Sequence, residues 1–480
     1  MQRILPGPDH ALHTAAATRR LEAAAAAQLP AHTLMQRAGL ATARLALALA
    51  PHAQTLWIAC GPGNNGGDGL EAALHLLHWG KTPLVSWLGE PGHVPADALA
   101  SHARAVSAGV RCVDAPPAEC DFCIDALLGT GASRPAQGRL ADWIARIHGL
   151  AVPVLAVDLP SGLNADTGGT AGPCVRASHT LSLLTLKPGL YTAEGRDHCG
   201  TVWFDTLGVE ASDAPPQARL NAAPAPWERR HASHKGSHGD VAVIGGTPGM
   251  GGAALLAARA ALHHGAGRVY VALLDGDTHA VDTGQPELML RPAAALQPAG
   301  LTVVAGCGGG SAIAAELPRL LSTAPRLVLD ADALNAIAAD TQLRTLLRAR
   351  AGRGHATVLT PHPLEAARLL ASTASQVQAD RLAAALELTG QTGACVVLKG
   401  SGSIVVAPGQ VPTINPTGNA RLATAGTGDV LAGLIGARLA RGETALQAAR
   451  AAVWLHGMAA DQWPTGSALT AGALLQAVPA

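Results

Sequence analysis

Thr55-Leu56-Trp57-Ile58-Ala59-Cys60 runs straight into Gly61-Pro62-Gly63-Asn64-Asn65-Gly66-Gly67-Asp68-Gly69, and residues 70–77 follow at helical spacing. A short apolar run, a glycine-rich turn and a helix make the first half of a βαβ unit. Gly61, Gly63 and Gly66 satisfy G-x-G-x-x-G, which lets backbone approach a pyrophosphate at a helix N-terminus and equally serves a plain strand-to-helix turn. Working outward, residues 83–88, 122–127 and 152–157 read as further strands with helices between them, the pattern of a parallel sheet. Residues 8–50 read as two alanine-rich helices broken around Pro30.

The same pattern restarts beyond a passage, 214–227, that carries Pro215, Pro216, Pro224 and Pro226 and reads as a linker. Residues 240–244, 268–273, 302–305, 326–329, 356–359 and 394–398 are strand candidates, 403–407 a hairpin partner, and 429–439 and 444–461 closing helices. Two α/β domains are therefore expected, 1–215 and 226–480, as a length of 480 residues suggests. Aromatic residues make up only 2% of the chain, so Ala, Leu and Val must pack it, which suits closely layered helices and sheets.

Acidic and basic residues balance at 34 each, so no global field draws nucleic acid or an anionic membrane. A phosphate site must then be built locally. Pro6 and Pro8 interrupt any signal-type apolar core, and residues 23–27 are too short a run to span a bilayer, so a cytoplasmic protein is expected. Cys120 and Cys123 have metal-ligand spacing but no second pair completes a zinc set, and they read as structural thiols. His231, His234 and His238 lie in a polar stretch and read as solvated. Gly80-Lys81-Thr82 ends like a phosphate-binding loop, yet His75 stands where the earlier glycine is required, so it reads as a helix C-cap.

The adjacent amides of Asn64 and Asn65, with Asp68, carry more polar function than a turn requires. Asp125-Ala126-Leu127-Leu128-Gly129-Thr130-Gly131 and Asp158-Leu159-Pro160-Ser161-Gly162 each place an acid where a strand ends. Strand C-termini of a parallel sheet form its ligand crevice, so three such loops predict one site. Together with Leu34-Met35-Gln36-Arg37-Ala38-Gly39 they resemble the NAD(P)H-hydrate epimerase domain, over most of residues 10–210. The resemblance implies a Rossmann-like three-layer sandwich. It also implies that Asn64, Asn65, Gly66, Gly67, Asp68, Gly129, Thr130, Gly131, Ala132, Ser133, Arg134 and Pro135 hold the substrate. Asn65, Asp125 and Ser161 would give oxygen ligands to a potassium ion, a donor set suited to a hard cation. Asp158 would touch the substrate and serve as the acid/base that interconverts the two hydrate epimers. Alone, Asp158 also reads as a helix-capping acid.

Ala423-Thr424-Ala425-Gly426-Thr427-Gly428-Asp429-Val430-Leu431-Ala432-Gly433 is the sharpest signal in the chain. Its glycines let amides converge ahead of a helix, an anion hole for charge developing in phosphoryl transfer, with a carboxylate placed to take a hydroxyl proton. The loop resembles the anion hole of the ribokinase-like superfamily. Gly245-Gly246-Thr247-Pro248-Gly249-Met250, Leu329-Asp330-Ala331-Asp332, Thr360-Pro361-His362-Pro363-Leu364-Glu365 and Lys399-Gly400-Ser401-Gly402-Ser403 narrow it to the NAD(P)H-hydrate dehydratase branch, over about residues 230–475.

That resemblance implies a kinase-like dehydration of the S epimer, ADP as co-substrate with Mg²⁺, and NADH- and NADPH-hydrate as substrates. Asp429 would be the base. Gly426 and Gly428 would border the phosphoryl group, and Lys399, Gly400, Ser401, Gly402 and Ser403 would cradle the nucleotide. Ala253, Gly308 and His362 would contact the hydrate. Self-association is also implied. Leu364 and Cys307-Gly308-Gly309-Gly310 depart from the usual motif forms, which puts local loop geometry in question. Asp330 and Asp332 read equally as metal and phosphate ligands or as strand-end acids capping the next helix. Two other readings stand beside this one: a small-molecule kinase of the same superfamily, and a first domain that binds without catalysing.

Overall fold

The computed structural model describes residues 1–90, 92–131, 134–210, 215–274 and 281–479. The chain divides into two compact units, Met1–Leu5 with His10–Ala218, and Pro6–Asp9 with Arg219–Ala480. No described helix is long and apolar enough to cross a membrane.

Along the first sheet the strands run Gln2–Arg3, Thr201–Asp205, His179–Leu183, Val154–Val157, Phe122–Ala126, Thr55–Cys60, Thr82–Trp87 and Arg111–Cys112. All neighbours are parallel except the first pair. Side chains alternate between faces. Leu56, Ile58 and Cys60 pack with Leu45, Leu70 and Leu76 from the helices Thr33–Leu49 and Asn64–His78. Trp57 and Ala59 pack on the other side with Trp143 and Ile144 of the helix Arg139–His148. The result is a three-layer α/β sandwich.

The second sheet orders Met289–Leu290, Arg268–Leu273, Asp240–Gly245, Thr302–Ala305, Arg326–Leu329, Ala356–Leu359 and Cys395–Leu398, all parallel. The antiparallel strands Ile404–Val406 and Thr413–Ile414 extend it. Small residues bring its helices close: a Cβ on Gly433 of the helix Thr427–Ala440 would lie 2.0 Å from the Ala257 carbonyl of the helix Gly251–His263.

Both units share one topological device. In the first, the chain leaves Thr55–Cys60 toward one edge and returns to Phe122–Ala126 on its other side; in the second, Asp240–Gly245 and Thr302–Ala305 flank the same reversal. Ligands bind at such switch points, beyond the strand C-termini. Each crevice floor is closed by a glycine. A Cβ on Gly61 would lie 1.8 Å from the Leu127 carbonyl oxygen, and one on Gly245 2.2 Å from that of Cys307.

Some elements depart from the sequence reading. The passage read as a linker holds the strand Ala218–Leu220, whose residues 219 and 220 pair with Thr413 and Ile414. Two strands went unread: His179–Leu183 alternates polar and apolar residues, and Thr201–Asp205 holds only the short run Val202-Trp203-Phe204. The helix expected at 429–439 begins at Thr427, whose hydroxyl donates to the Leu422 and Thr424 carbonyls at 2.8 and 2.9 Å and ties its first turn to the preceding loop. Gly80, at φ +78°, does end a helix, and Lys81 Nζ donates to the Pro51 and Ala53 carbonyls at 2.7 and 2.6 Å, leaving it no phosphate role.

Candidate active sites

In the first unit a cavity of about 510 Å³ opens at the switch point. Asn64, Asn65, Asp68, Gly129, Thr130, Gly131 and Asp158 line it together, as three separate loops of the sequence suggested. Gly66 and Gly67 face inward. Their absent Cβ atoms would meet the Gly61 carbonyl at 2.0 Å and the Met35 thioether at 2.6 Å, so these two glycines let the helix sit close and do not line the cavity. Gly63 meets nothing within 4 Å and borders open space. Arg134 and Pro135 are exposed and lie outside the lining, and Ala132 and Ser133 fall outside the described residues.

Asp158 sits at φ +66°, a conformation that costs a non-glycine residue and recurs where a side chain is aimed for function. Its carboxylate pairs with Lys187 Nζ and accepts from the Leu183 amide at 3.3 Å. Lys187 is fully buried and also donates to the Leu183 carbonyl at 2.8 Å and to Ser182 Oγ at 3.2 Å. Lys187 was invisible to sequence reasoning because it lies 29 residues from Asp158, in a segment without a glycine-rich loop. Glu22, from the helix Ala15–Ala26, also lines the cavity. Burial and the charge of Asp158 push its carboxyl above the usual range, and burial with Asp158 and Glu22 pushes Asp68 well above.

Asp125 and Ser161 lie behind the cavity, both fully buried. Asp125 accepts from Ser161 Oγ at 2.6 Å, from the Ser161 amide at 2.8 Å and from the Leu127 amide at 3.2 Å. Burial raises its carboxyl to about 6 against the pull of those bonds. Among the described residues no Lys, Arg or His pairs with it. Asn65 Nδ2 is buried with no partner, and the Asn65 amide stands against Gly129. Turned over, which an amide permits, it presents an oxygen at the same place.

In the second unit the switch-point loops carry Gly306 at φ +113° and Gly308 at φ +60°. Gly308 is buried and packs on Ala253, 3.1 Å from where its Cβ would stand, so these two predicted contacts are neighbours. Asp330, at the end of the next strand, receives Lys399 Nζ at 2.8 Å and Thr360 Oγ1 at 2.7 Å. Lys399 also reaches Glu365, at 3.9 Å, and approaches within 3.4 Å of the Cβ position of Gly428. Burial works against the Lys399 charge, but Asp330 and Glu365 outweigh it and its amine lies above the usual value. Burial lifts Glu365 to about 7.

Gly426 takes φ +88° to start the helix Thr427–Ala440, whose first backbone acceptor is the Gly426 carbonyl, bonded to the Val430 amide at 3.1 Å. The amides of Gly428 and Asp429 precede that bond and have no helical acceptor, the arrangement that lets a helix N-terminus hold an anion. Burial, and then the charge of Asp330, raises the Asp429 carboxyl to about 6.

His362 and Leu364 prove to be parts of a capping box. His362 Nδ1 accepts from the Leu364 and Glu365 amides at 3.1 and 3.3 Å, while Glu365 Oε2 accepts from the His362 amide at 2.8 Å. Leu364 is an exposed helix position with no need of glycine. Ser401 is exposed, and Ser403 Oγ donates to the Gly400 carbonyl at 3.2 Å within the turn that Gly400 and Gly402 make at positive φ. Asp332 accepts from the Gly310 amide at 2.8 Å, a bond back to the switch-point loop and not a cap on the helix Asp332–Ala339 that follows it.

These features define a two-domain α/β enzyme with a crevice in each half. One is a cavity lined by Asp68, Asp158 and Glu22, the other a glycine-rich helix N-terminus that carries Asp429. Residues 241–479 match the NAD(P)H-hydrate dehydratase family model, and residues 31–189 match that of the YjeF-related protein N-terminus. The bifunctional NAD(P)H-hydrate repair enzyme Nnr of Escherichia coli (strain K12) is 35% identical over 92% of this chain and 87% of its own length. That of Coxiella burnetii is 37% identical over 90% of each. A solved ADP/ATP-dependent NAD(P)H-hydrate dehydratase from Bacillus subtilis, co-crystallized with ATP/Mg²⁺, is 26% identical over 52% of this chain and 91% of that one, with a TM-score of 0.42. The chain belongs to the bifunctional NAD(P)H-hydrate repair enzyme family.

Proposed function

We propose that the first unit interconverts the R and S epimers of NADH- and NADPH-hydrate, and that the second dehydrates the S epimer with ADP, giving NADH or NADPH, AMP and phosphate. The observation that carries this is the carboxylate of Asp429 beside two unbonded helix amides and the Asp330–Lys399 pair. A hydroxyl on the hydrated ring is a poor leaving group. Asp429 takes its proton, and the oxygen forms a bond to the terminal phosphorus of ADP as the bond to AMP breaks. The amides of Gly428 and Asp429 and the Lys399 ammonium meet the negative charge that builds on the phosphoryl oxygens. The phosphate ester then departs as phosphate, a ring proton is lost, and the ring double bond returns.

In the first unit the two epimers differ at one hydroxyl-bearing carbon. Interconversion breaks and remakes that C–O bond on opposite faces, with one proton delivered and one removed. Asp158 faces the cavity for this exchange, held by Lys187. The buried, unpaired Asp125 carboxylate, the Ser161 hydroxyl and the partnerless Asn65 amide suit a potassium ion, which would supply positive charge behind the substrate.

Magnesium fits differently. Cys307, Asp330 and Asp429 cluster within 4.8 Å, but a thiol is a poor magnesium ligand, Asp330 is held by Lys399, and Asp429 must stay free to accept a proton. Mg²⁺ would instead accompany the nucleotide phosphates and offset their charge. We also expect self-association, checked by light scattering on a sizing column.

The test is NADH recovery, followed at 340 nm, from a mixture of both NADH-hydrate epimers with ADP, magnesium and potassium. Nearly complete recovery is expected, and Asp158→Asn should stall it near the share of one epimer. No recovery with ADP or ATP would refute the dehydratase reading in favour of a small-molecule kinase.

A further inference from the structure

Glu22 stands in the wall of the first cavity, and the epimerisation as proposed leaves it without a task. It belongs to the helix Ala15–Ala26, where Thr18, Glu22 and Ala26 are spaced four residues apart and so share one face. All three line the cavity together with Asp158. The helix is held there by two contacts from the loops around it. The Ala15 amide donates to Asp166 Oδ1 at 2.7 Å, and the buried hydroxyls of Thr18 and Thr185 bond at 2.6 Å. Thr185 is two residues from Lys187, so the helix that carries Glu22 is tied to the segment that holds Asp158.

Breaking and remaking a C–O bond needs two proton carriers: an acid for the departing hydroxyl and a base for the incoming water. Asp158 forms an ion pair with the buried Lys187, which makes it the carboxylate of the cavity. Glu22 has no such partner, and among the described residues none donates a hydrogen bond to its carboxyl. We propose that Glu22 is the second catalytic residue of the first unit, the acid that complements Asp158 as base. This rests on the reading of that unit as the epimerase. The Glu22 carboxyl gives its proton to the hydroxyl of the hydrate. The C–O bond breaks with its electron pair going to oxygen, water leaves, and the adjacent ring nitrogen shares the positive charge left on carbon. A water then adds from the other face, its oxygen supplying the pair for the new bond, and Asp158 takes the proton it sheds. One proton has moved from Glu22 to Asp158, and exchange with solvent resets the two. Carboxyls divided in this way, one ionised and one protonated, let one site run an acid step and a base step together. Burial first, and then the charge of Asp158, lifts the Glu22 carboxyl above its usual range; Asp97 acts in the same direction, and Lys187 and Arg19 oppose it. Asp68 and His32 are the remaining titratable groups of the lining, and His32 Nδ1 pairs with Asp97 at 2.6 Å.

The experiment follows interconversion of the pure R epimer by NMR, on the full chain with potassium and without ADP, so that the second unit is idle. The rate is measured across pH. Wild-type kcat should fall on the alkaline side, where Glu22 loses the proton it must donate. Glu22→Gln should lose about 10²-fold or more in kcat with KM held within about twofold, and its alkaline limb should vanish. Glu22→Asp keeps a carboxyl and should keep the limb at a lower rate, which a merely structural role for Glu22 would not produce. A Glu22→Gln kcat within about threefold of wild type, or an alkaline limb that survives the change, overturns the inference. So does a limb that Asp68→Asn removes and Glu22→Gln retains, since Asp68 would then be the acid. A wild-type chain that leaves the R epimer unchanged would instead remove the epimerase reading itself, which separates the two failures.

Discussion

Lys187→Met is the most exacting perturbation of the first unit. Lys187 has no exposed surface, and its ammonium joins Asp158, the Ser182 hydroxyl and the Leu183 carbonyl. Removing one partner of a buried pair costs about 3–5 kcal/mol, because the remaining charge stays buried without compensation. Asp158 keeps 13% exposure and the Leu183 amide, which places the cost at the lower end, about 3 kcal/mol. For a unit of this size that is a fall in Tm of roughly 6–12 °C. Calorimetry on the full chain should show the first unit melting earlier while the second is unmoved. Epimer interconversion, followed by NMR of the hydrate, should fall with it. The double variant Lys187→Met/Asp158→Asn should recover part of the stability, since no charge is then left alone. It should not recover activity. A loss below about 1 kcal/mol for Lys187→Met, or a double variant less stable than the single, would refute the pairing argument.

Three further outcomes follow from the geometry. The dehydratase rate should rise with pH through about 6, where the raised Asp429 carboxyl ionises, and Asp429→Asn should lose this limb and be at least about 10³-fold slower above it. Asp125 has its folded value raised to about 6 above the ordinary 3.8, so its ionisation opposes folding as pH climbs between those values. Potassium should therefore raise the Tm of the first unit most at pH 8, and Asp125→Asn should abolish the increment; an equal increment from every monovalent cation would count against the site. Gly61→Ala should cost about 3 kcal/mol or more, since its Cβ has 1.8 Å to the Leu127 oxygen. Gly63→Ala should leave Tm within about 2 °C and raise KM at the cavity mouth instead, because nothing lies within 4 Å of its Cβ.

The strand-loop-helix grammar was legible because it is local. Thr55–Cys60, Arg268–Leu273, Thr302–Ala305, Arg326–Leu329 and Ala356–Leu359 lie where their apolar runs end, and glycine punctuates each junction. The strands it missed include the polar His179–Leu183 and the three-residue Ala218–Leu220. They are strands because a neighbour offers them hydrogen bonds, not because of what they contain. Glycine alone could not announce its task. Gly61, Gly63 and Gly66 match one motif, yet two of them serve close packing and one faces the cavity mouth.

The acids at strand ends could be read directly, since a parallel sheet sends every strand C-terminus to one side, and so Asp125, Asp158 and Asp330 were found by position, while Asp429 was found from its glycine-rich loop. Their partners could not. Lys187 against Asp158 and Lys399 against Asp330 join segments 29 and 69 residues apart in the chain, so no local spacing predicts them. Whether a buried carboxylate is paired, and hence whether it works as an ion or as an acid, depends on those distant contacts. The sequence by itself determined where the chemistry would gather, and the tertiary structure alone decided the charge state in which each group would do it, because electrostatic interaction depends on distance through space and on burial, not on separation along the chain.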